Sequence, residues 1–342
     1  MTKTNRNTIL FLSLLLTTTI LFLLDISFGQ VAIPLKEVIK SLLGGEASKE
    51  TWQYIITSYR LPKAVTALLV GCGLSISGLL MQTLFRNPLA GPYVLGLSSG
   101  SSLGVAFVIM GSSLLPTFLA EHFLSSYGII IASCLGSLIV LLAVLIVSQR
   151  LRNTMAILIV GLMFSSFTGA IVNTLTYFSS AEQLQKFTFW SMGNLGNLDW
   201  AQISILSVTT FLGLLISIGK IKALDALLLG ENYAKSMGVN YSKSQFLLII
   251  ATSLLSGSIT AFVGPIAFVG LAVPHIAKLM FQTSKHWILF WGTLFIGAIL
   301  MLFCDLLSQL PLTNTVLPIN AITSIIGAPV VIWLLLKKRH FG

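Results

Sequence analysis

Ten apolar runs separated by short polar breaks constrain this chain more than any other feature of its sequence. A helix needs about 20 mostly apolar residues to cross the hydrocarbon core of a bilayer. Only 9% of the 342 residues are charged, whereas about a quarter are charged in a typical soluble domain. We place the ten runs at 9–28, 61–83, 93–111, 127–148, 154–178, 201–219, 245–263, 267–281, 287–308 and 319–336. The sequence therefore predicts an all-α, polytopic membrane protein with ten transmembrane helices in a single domain over residues 1–342.

The distribution of Lys and Arg between the loops predicts the orientation of the chain. If the N-terminus is cytoplasmic, the inner segments hold fourteen of the twenty basic residues, and the outer segments hold the other six with most of the acidic residues. Cytoplasmic loops of membrane proteins carry such an excess of Lys and Arg. Both termini are therefore expected in the cytoplasm. The same bias accounts for the net charge of +10, so we expect contact with membrane lipid and no nucleic-acid partner.

Acidic residues are nearly absent from the predicted spans, which argues against several kinds of membrane protein. Asp305 is the one carboxylate that we place inside a span, and the other nine, including Asp25, are placed outside the spans or near their ends. An intramembrane aspartyl protease needs a pair of carboxylates, and an ion-coupled carrier usually needs buried carboxylates as well. The HExxH motif of many metalloproteases does not occur in the sequence.

No metal site and no cofactor are predicted. His275 is the only His within a span, with no second candidate ligand nearby in the sequence, and a hydrogen bond between helices is its expected role. The three cysteines, Cys72, Cys134 and Cys304, lie in separate apolar stretches, as expected for small core residues. Two segments rich in Gly and Ser, 71–78 and 96–104, are predicted to be faces where helices pack closely.

The longest cytoplasmic segment, at about 220–244, is predicted to bind something outside the membrane domain. It contains two short helices, with a break at Gly230 and a stop at Gly238. Leu227, Leu228 and Leu229 are expected to face water there, and such an apolar patch usually lies on lipid headgroups or on another protein. The pattern alone leaves both possibilities open. Because the chain lacks a GxxxxGK[ST] phosphate loop, any ATP that drives it must be bound by another subunit.

A series of short motifs resembles the FecCD-type permeases of ABC importers for iron–siderophore complexes, haem and vitamin B12, over nearly the whole chain. The motifs are RLPK at 60–63, GLLMQ at 78–82, RNPLA at 86–90, LGLSSG at 95–100, LG at 229–230 with Ala234 and MGV at 237–239, GPIAFVGLAVPH at 264–275 and GAP at 327–329. Each motif alone is weak. Their shared order across ten spans is specific.

The resemblance implies the assembly and the location of the protein. Members of this family are ten-helix subunits of the bacterial cytoplasmic (inner) membrane and are not themselves enzymes. They pair with a second permease subunit, here expected as a homodimer, around a central path. Two cytoplasmic ATP-binding ABC subunits hydrolyse ATP, and a periplasmic or lipid-anchored substrate-binding protein delivers the ligand.

The resemblance also assigns roles to residues of this chain. The ATPase-coupling residues would be Asp225, Leu227, Leu228, Leu229, Gly230, Ala234 and Gly238. Arg60 and Lys63 would dock the binding protein. The cytoplasmic gate and the translocation path would be formed by Asn87, Leu89, Asn153, Thr154, Trp190 and Met192.

Some positions depart from the family pattern. Gln309 stands where an Arg often follows Asp305, which would leave the docking of the binding protein to Arg60 and Lys63. The other departures are Lys63, Lys278, Gly91, Val316 and Asn320.

The substrate cannot be read from these residues, although iron–siderophore complexes are the commonest in the family. A path of small, Met and hydroxyl side chains suits a bulky, nearly neutral chelate better than a bare metal ion. A secondary active transporter of a small organic solute is the alternative function, and an intramembrane enzyme is a third.

Overall fold

The computed structural model describes residues 3–114, 116–150, 154–309 and 316–338. Within these ranges the regular secondary structure is helical. The helices are α1 Lys3–Ser27, α2 Leu35–Leu42, α3 Glu50–Ile55, α4 Leu61–Leu84, α5 Leu97–Gly111, α6 Thr117–Phe123, α7 Ser126–Arg150, α8 Thr154–Tyr177, α9 Ala181–Ser191, α10 Trp200–Gly219, α11 Ile221–Leu228, α12 Glu231–Ser236, α13 Tyr241–Thr252, α14 Ser258–Val263, α15 Val269–Phe281, α16 His286–Ser308 and α17 Ile319–Lys338.

The ten predicted spans correspond to ten apolar helical segments. Seven segments in the described part of the chain are long and apolar enough to cross a membrane, and α5, α15 and part of α17 are shorter apolar helices. The second segment is much longer than predicted, because a π-helical turn at Ile56–Arg60 joins α3 to α4 into a continuous helix over Glu50–Leu84. A second π-helical turn, Ser253–Gly257, joins α13 to α14. The prediction of an all-α, polytopic membrane protein is confirmed.

The backbone contacts divide the chain into two compact units, each built from separate stretches of sequence. Unit 1 comprises 1–79, 194–208 and 266–342, and unit 2 comprises 80–193 and 209–265. The expectation of one domain over 1–342 therefore stays a prediction.

Close backbone contacts between helices are found within each unit, where the small-residue segments were expected. In unit 1, a Cβ on Gly78 would overlap the backbone of Gly270, and a Cβ on Gly71 would overlap Gly297. In unit 2, Gly100 packs in the same way against Gly136 on α7. Small residues permit this approach, which gains dispersion energy between helices in lipid. The prediction that 71–78 and 96–104 are packing faces is confirmed.

The segment between the first two spans, which belongs to unit 1, packs against the ends of those spans through a small apolar cluster. The cluster is formed by Ile26, Ile33, Val38, Ile56 and Ala64. A surface loop is tied to α2 by the Glu37 carboxylate, which accepts hydrogen bonds from the backbone N–H of Ser48 at 2.7 Å and from its hydroxyl at 2.8 Å. These two bonds lower the pKa of Glu37. Val38 thus faces inward while the charged face of α2 remains exposed.

Candidate functional site

The predicted coupling segment folds as two short helices, α11 and α12, with a sharp turn between them. At Gly230 the φ angle is +104°, a conformation that residues with a Cβ rarely adopt, and Gly238 has a φ of +81° where the segment ends. Lys235 and Glu231 form an i,i+4 ion pair of 2.6 Å on α12. The predicted break and stop are confirmed at these two glycines.

Burial within the segment corrects the expectation about its apolar surface. Leu227 is only 3% exposed and Ala234 is fully buried, so both pack inside the protein instead of facing water. Leu228 is 38% exposed, Leu229 is 61% exposed, and the Asp225 side chain also faces outward. Leu227 was placed on the surface because consecutive leucines cannot be assigned to a helix face before the turn at Gly230 is known.

The structure adds two apolar residues to this surface. Tyr233 and Met237 are more than half exposed, like Leu229. We call Leu228, Leu229, Tyr233 and Met237 the coupling patch. The signal was readable in the sequence, because Leu229, Tyr233 and Met237 recur at intervals of four residues.

The turn that follows α4 contains the first predicted gate residues. The side chain of Asn87 accepts a hydrogen bond from the backbone N–H of Leu89 at 2.9 Å, and its carbonyl accepts one from Ala90 at 3.1 Å. This local bonding holds Leu89 at the surface while Ala90 is buried. Arg86 precedes the turn with a positive φ of 46°, and its guanidinium would lie 3.2 Å from a Cβ on Gly230. The gate turn and the coupling segment are therefore neighbours within unit 2.

The second pair of predicted gate residues cannot be compared with the first. Asn153 lies outside the described residues, and Thr154 begins α8 but its side chain is not described. Their part in a gate stays a prediction.

Trp190 and Met192 lie at the end of α9, on the predicted outer side. This helix begins with a capping box between Ser180 and Gln183, and Gln183 also donates a 3.2 Å hydrogen bond to the carbonyl of Met110 at the end of α5. Trp190 stacks on Phe187 with ring centroids 6.0 Å apart. Met192 is partly exposed. The helix is thus anchored on unit 2 with one surface open.

A buried polar cluster lies at the predicted outer end of unit 1. It comprises Asp25 on α1, Arg60 and Lys63 near the start of α4, Asp305 on α16, and Gln309 just after it; we call this the outer polar cluster. Lys63 Nζ lies 2.9 Å from Asp305 Oδ1. The Gln309 amide donates to Asp25 Oδ1 at 3.2 Å and to Asp305 Oδ2 at 3.3 Å. A single neutral side chain therefore bridges two carboxylates.

The cluster places a second buried carboxylate, Asp25, beside the one that we expected inside a span. Asp25 is 2% exposed and Asp305 is 1% exposed, and both belong to helices apolar enough to span a membrane. A pair of buried carboxyl groups is therefore present, so an intramembrane aspartyl protease or an ion-coupled carrier is not excluded on that ground. Lys63 compensates the charge of Asp305, and the Gln309 amide donates a hydrogen bond to each of the two side chains.

Arg60 and Lys63 also make contacts inside unit 1 that the docking expectation did not include. The Arg60 guanidinium donates to the carbonyl oxygens of Ile26 at 2.9 Å, Ser27 at 2.8 Å and Val31. Both cations line a cavity of about 400 Å³, together with Gln309. Both side chains are therefore partly exposed. Their role in docking the binding protein stays a prediction.

The comparisons with known proteins all find related transport permeases, and each match covers most of the chain. The FecCD transport family matches residues 16–337. The chain is 34% identical over 303 residues to the hemin transport system permease protein HmuU of Yersinia pestis, covering 87% of this chain and 88% of that protein. It is 33% identical over 327 residues to the vitamin B12 import system permease protein BtuC of Klebsiella pneumoniae, covering 92% and 94%.

A solved structure shares the fold. An inward-facing metal-chelate type ABC transporter superposes with a TM-score of 0.82 at 28% identity, covering 96% of this chain and 99% of that one. The chain is therefore a multi-pass permease of the cytoplasmic membrane, and it belongs to the FecCD transport family.

Proposed function

We propose that this chain is the membrane subunit of an ATP-driven importer for a bulky metal chelate, with an iron–siderophore complex as the first candidate and haem or cobalamin as the others. The similar permeases transport hemin and vitamin B12, and the similar solved transporter is of the metal-chelate type. Each of these ligands holds its metal inside an organic framework, which suits the residues proposed for the path, because none of them carries a carboxylate or an imidazole.

The observation that carries this proposal is the coupling patch. Four large apolar or aromatic side chains are exposed on this short segment, whereas Leu227 and Ala234 of the same segment are buried. Tyr and Met are enriched at protein interfaces, and the desolvated centre of an interface supplies most of its affinity. A separate ATP-binding subunit is the proposed partner, because this chain has no phosphate loop of its own.

The proposed assembly has two further partners. A second copy of the chain completes a path gated by Asn87, Leu89, Asn153 and Thr154, with Trp190 and Met192 at its outer mouth. A substrate-binding protein docks outside through acidic side chains that meet Arg60 and Lys63. The cavity that these two cations line would admit such a side chain, and complementary charge would speed the encounter.

The test is uptake by vesicles reconstituted with the permease, its ATP-binding subunit and its loaded binding protein. Uptake of a labelled ferric siderophore, haem or cobalamin should require internal ATP, and Leu229→Asp should strongly reduce both uptake and co-purification of the ATP-binding subunit. Leu43→Asp is the matched control, since Leu43 is 83% exposed on the predicted outer side. Uptake driven by an ion gradient without ATP would instead support a secondary transporter.

A further inference from the structure

Two cavities in unit 2 lie next to each other along α7 and α13, and we call them together the groove. The larger, of about 610 Å³, is bordered by Cys134, Leu138 and Leu142 of α7 and by Phe246 and Ile250 of α13. The smaller, of about 440 Å³, lies at the start of α13. Leu145 and Phe246 line both cavities. Both volumes are within the range of small-molecule sites in proteins.

The larger cavity has an apolar wall even where hydroxyl groups line it. Ser137 Oγ donates to the carbonyl of Cys134 at 2.9 Å, Ser253 Oγ donates to Ile249 at 2.8 Å, and Ser258 donates to Leu254. These three hydroxyls are therefore satisfied by carbonyl groups three or four residues earlier in the chain and require no polar partner from a ligand. An occupant of this cavity gains from hydrocarbon contact and loses little from lacking hydrogen bonds.

The smaller cavity is polar and positively charged. Asn240, Ser242, Lys243 and Gln245 line it with Phe246 and Ile249. Lys243 is exposed, and no ion pair involving it is found in the part of the chain that the structure describes. With the N-terminus in the cytoplasm, as the charge bias predicts, this end of α13 lies at the inner leaflet, where anionic headgroups attract cations.

We propose that this groove binds an anionic phospholipid of the inner leaflet, with an acyl chain in the apolar cavity and the headgroup phosphate beside Lys243. The dimensions agree with this occupant. Cys134 and Ile146 are twelve residues apart on α7, or about 18 Å along the helix axis. One leaflet contributes about 15 Å of hydrocarbon, so a single acyl chain would fill the groove from its mouth to the bilayer centre.

Gly257 offers a way to close the groove without disturbing its walls. It lines the larger cavity, and a Cβ there would meet only Ser137 Oγ, at 3.7 Å. Gly257→Leu should therefore place its side chain in the space that the acyl chain would occupy. Lys243→Gln removes the charge and leaves the cavity unchanged. Lys285→Gln is the matched control, because Lys285 is exposed on the predicted cytoplasmic side and lines neither cavity.

The test is photo-crosslinking of the full chain in lipid nanodiscs with a phosphatidylglycerol that carries a diazirine on its acyl chain. Crosslinks should concentrate on α7 and α13, and a phosphatidylcholine with the same acyl chain should label them less. Lys243→Gln should reduce the phosphatidylglycerol yield by about fivefold, the effect of one surface cation on an anionic lipid, while Lys285→Gln changes nothing. Gly257→Leu should remove the labelling by both probes.

Two outcomes would overturn the proposal. One is labelling that is spread evenly over all exposed helices, or that is equal for both lipids and unaffected by Lys243→Gln. The other is efficient disulfide formation between two copies through Leu142→Cys, which would show that a second chain covers the groove.

Discussion

The outer polar cluster buries acidic side chains and the coupling patch exposes apolar ones, which is the reverse of the usual distribution in each case. The consequences for the two regions are opposite. In the cluster, charged groups are buried, and each carboxylate already has a partner within unit 1. In the patch, Leu229 and its neighbours are exposed, and none of the residues that the structure describes covers them. Buried charge that is compensated internally needs no further partner, whereas exposed apolar surface favours binding to a second molecule.

The largest effect is expected from Lys63→Met in the outer polar cluster. The substitution leaves the Asp305 carboxylate buried without its ion-pair partner, so we expect the free energy of unfolding to fall by about 3 kcal/mol. Chemical unfolding of the purified permease in detergent measures the change. The double substitution Lys63→Met with Asp305→Leu should restore part of the loss.

Lys40→Met is the control for that experiment, because Lys40 is exposed and forms no ion pair among the described residues. It should leave stability within about 0.5 kcal/mol of the wild type. Equal losses for Lys40→Met and Lys63→Met would mean that the 2.9 Å ion pair contributes nothing specific.

The second effect distinguishes exposed from buried residues in the coupling segment. Leu229→Asp should weaken binding of the ATP-binding subunit by about 2 kcal/mol, or roughly thirtyfold, and leave the permease folded. Ala234→Arg should instead destabilise α12 itself, because Ala234 is fully buried. Pull-down yields and thermal unfolding curves separate the two results. Tight binding by Leu229→Asp would remove the patch from the interface.

The third effect compares Gly230 and Gly238, the two glycines on either side of α12. Both have positive φ, but a Cβ on Gly230 would also approach Arg86 at 3.2 Å, whereas a Cβ on Gly238 would meet nothing within 4 Å. Gly238→Ala should therefore cost about 1 kcal/mol from backbone strain, and Gly230→Ala somewhat more. Hydrogen exchange of α12 amides reports the difference. The reverse order would show that the Arg86 contact is unimportant.

The smallest effect is a pH dependence outside the membrane. The pKa of Glu37 is lowered in the folded chain by the two hydrogen bonds from Ser48, so their contribution is present above the ordinary pKa of about 4.5 and is lost as pH falls through the lowered value. Hydrogen exchange at the Ser48 amide should accelerate in that acidic range, beyond the intrinsic pH dependence of exchange. Ser48→Ala removes the hydroxyl bond and keeps the backbone one, so it should raise the pKa of Glu37 part of the way, and an unchanged value would contradict the assigned hydroxyl bond.

The spans and packing faces could be predicted from the sequence because each depends on a local property. Twenty consecutive apolar residues need no knowledge of their neighbours to be identified as a span, and the small residues at Gly78 and Gly100 indicate close contact wherever they pack. The partner of each face could not be identified, because Gly270 and Gly136 are distant in the sequence.

The candidate site was harder to predict because its features depend on three-dimensional neighbours. Asp25 lies near the end of its span, and only the positions of Gln309 and Asp305 show that it is buried in a shared network. Leu227 and Leu229 have the same side chain two residues apart, and the turn at Gly230 places one inside and one outside. Motif resemblance located both regions, but it could not assign the direction of each side chain.

The contact between Gly78 and Gly270 has a mechanical consequence for a protein that must open and close. With no side chains between the backbones, α4 and α15 have no rotamers through which to adjust at this point, and separating them would open a void in a tightly packed interior. We expect the contact to act as a fixed pivot. Spin labels on either side of it should therefore keep a constant separation through the transport cycle.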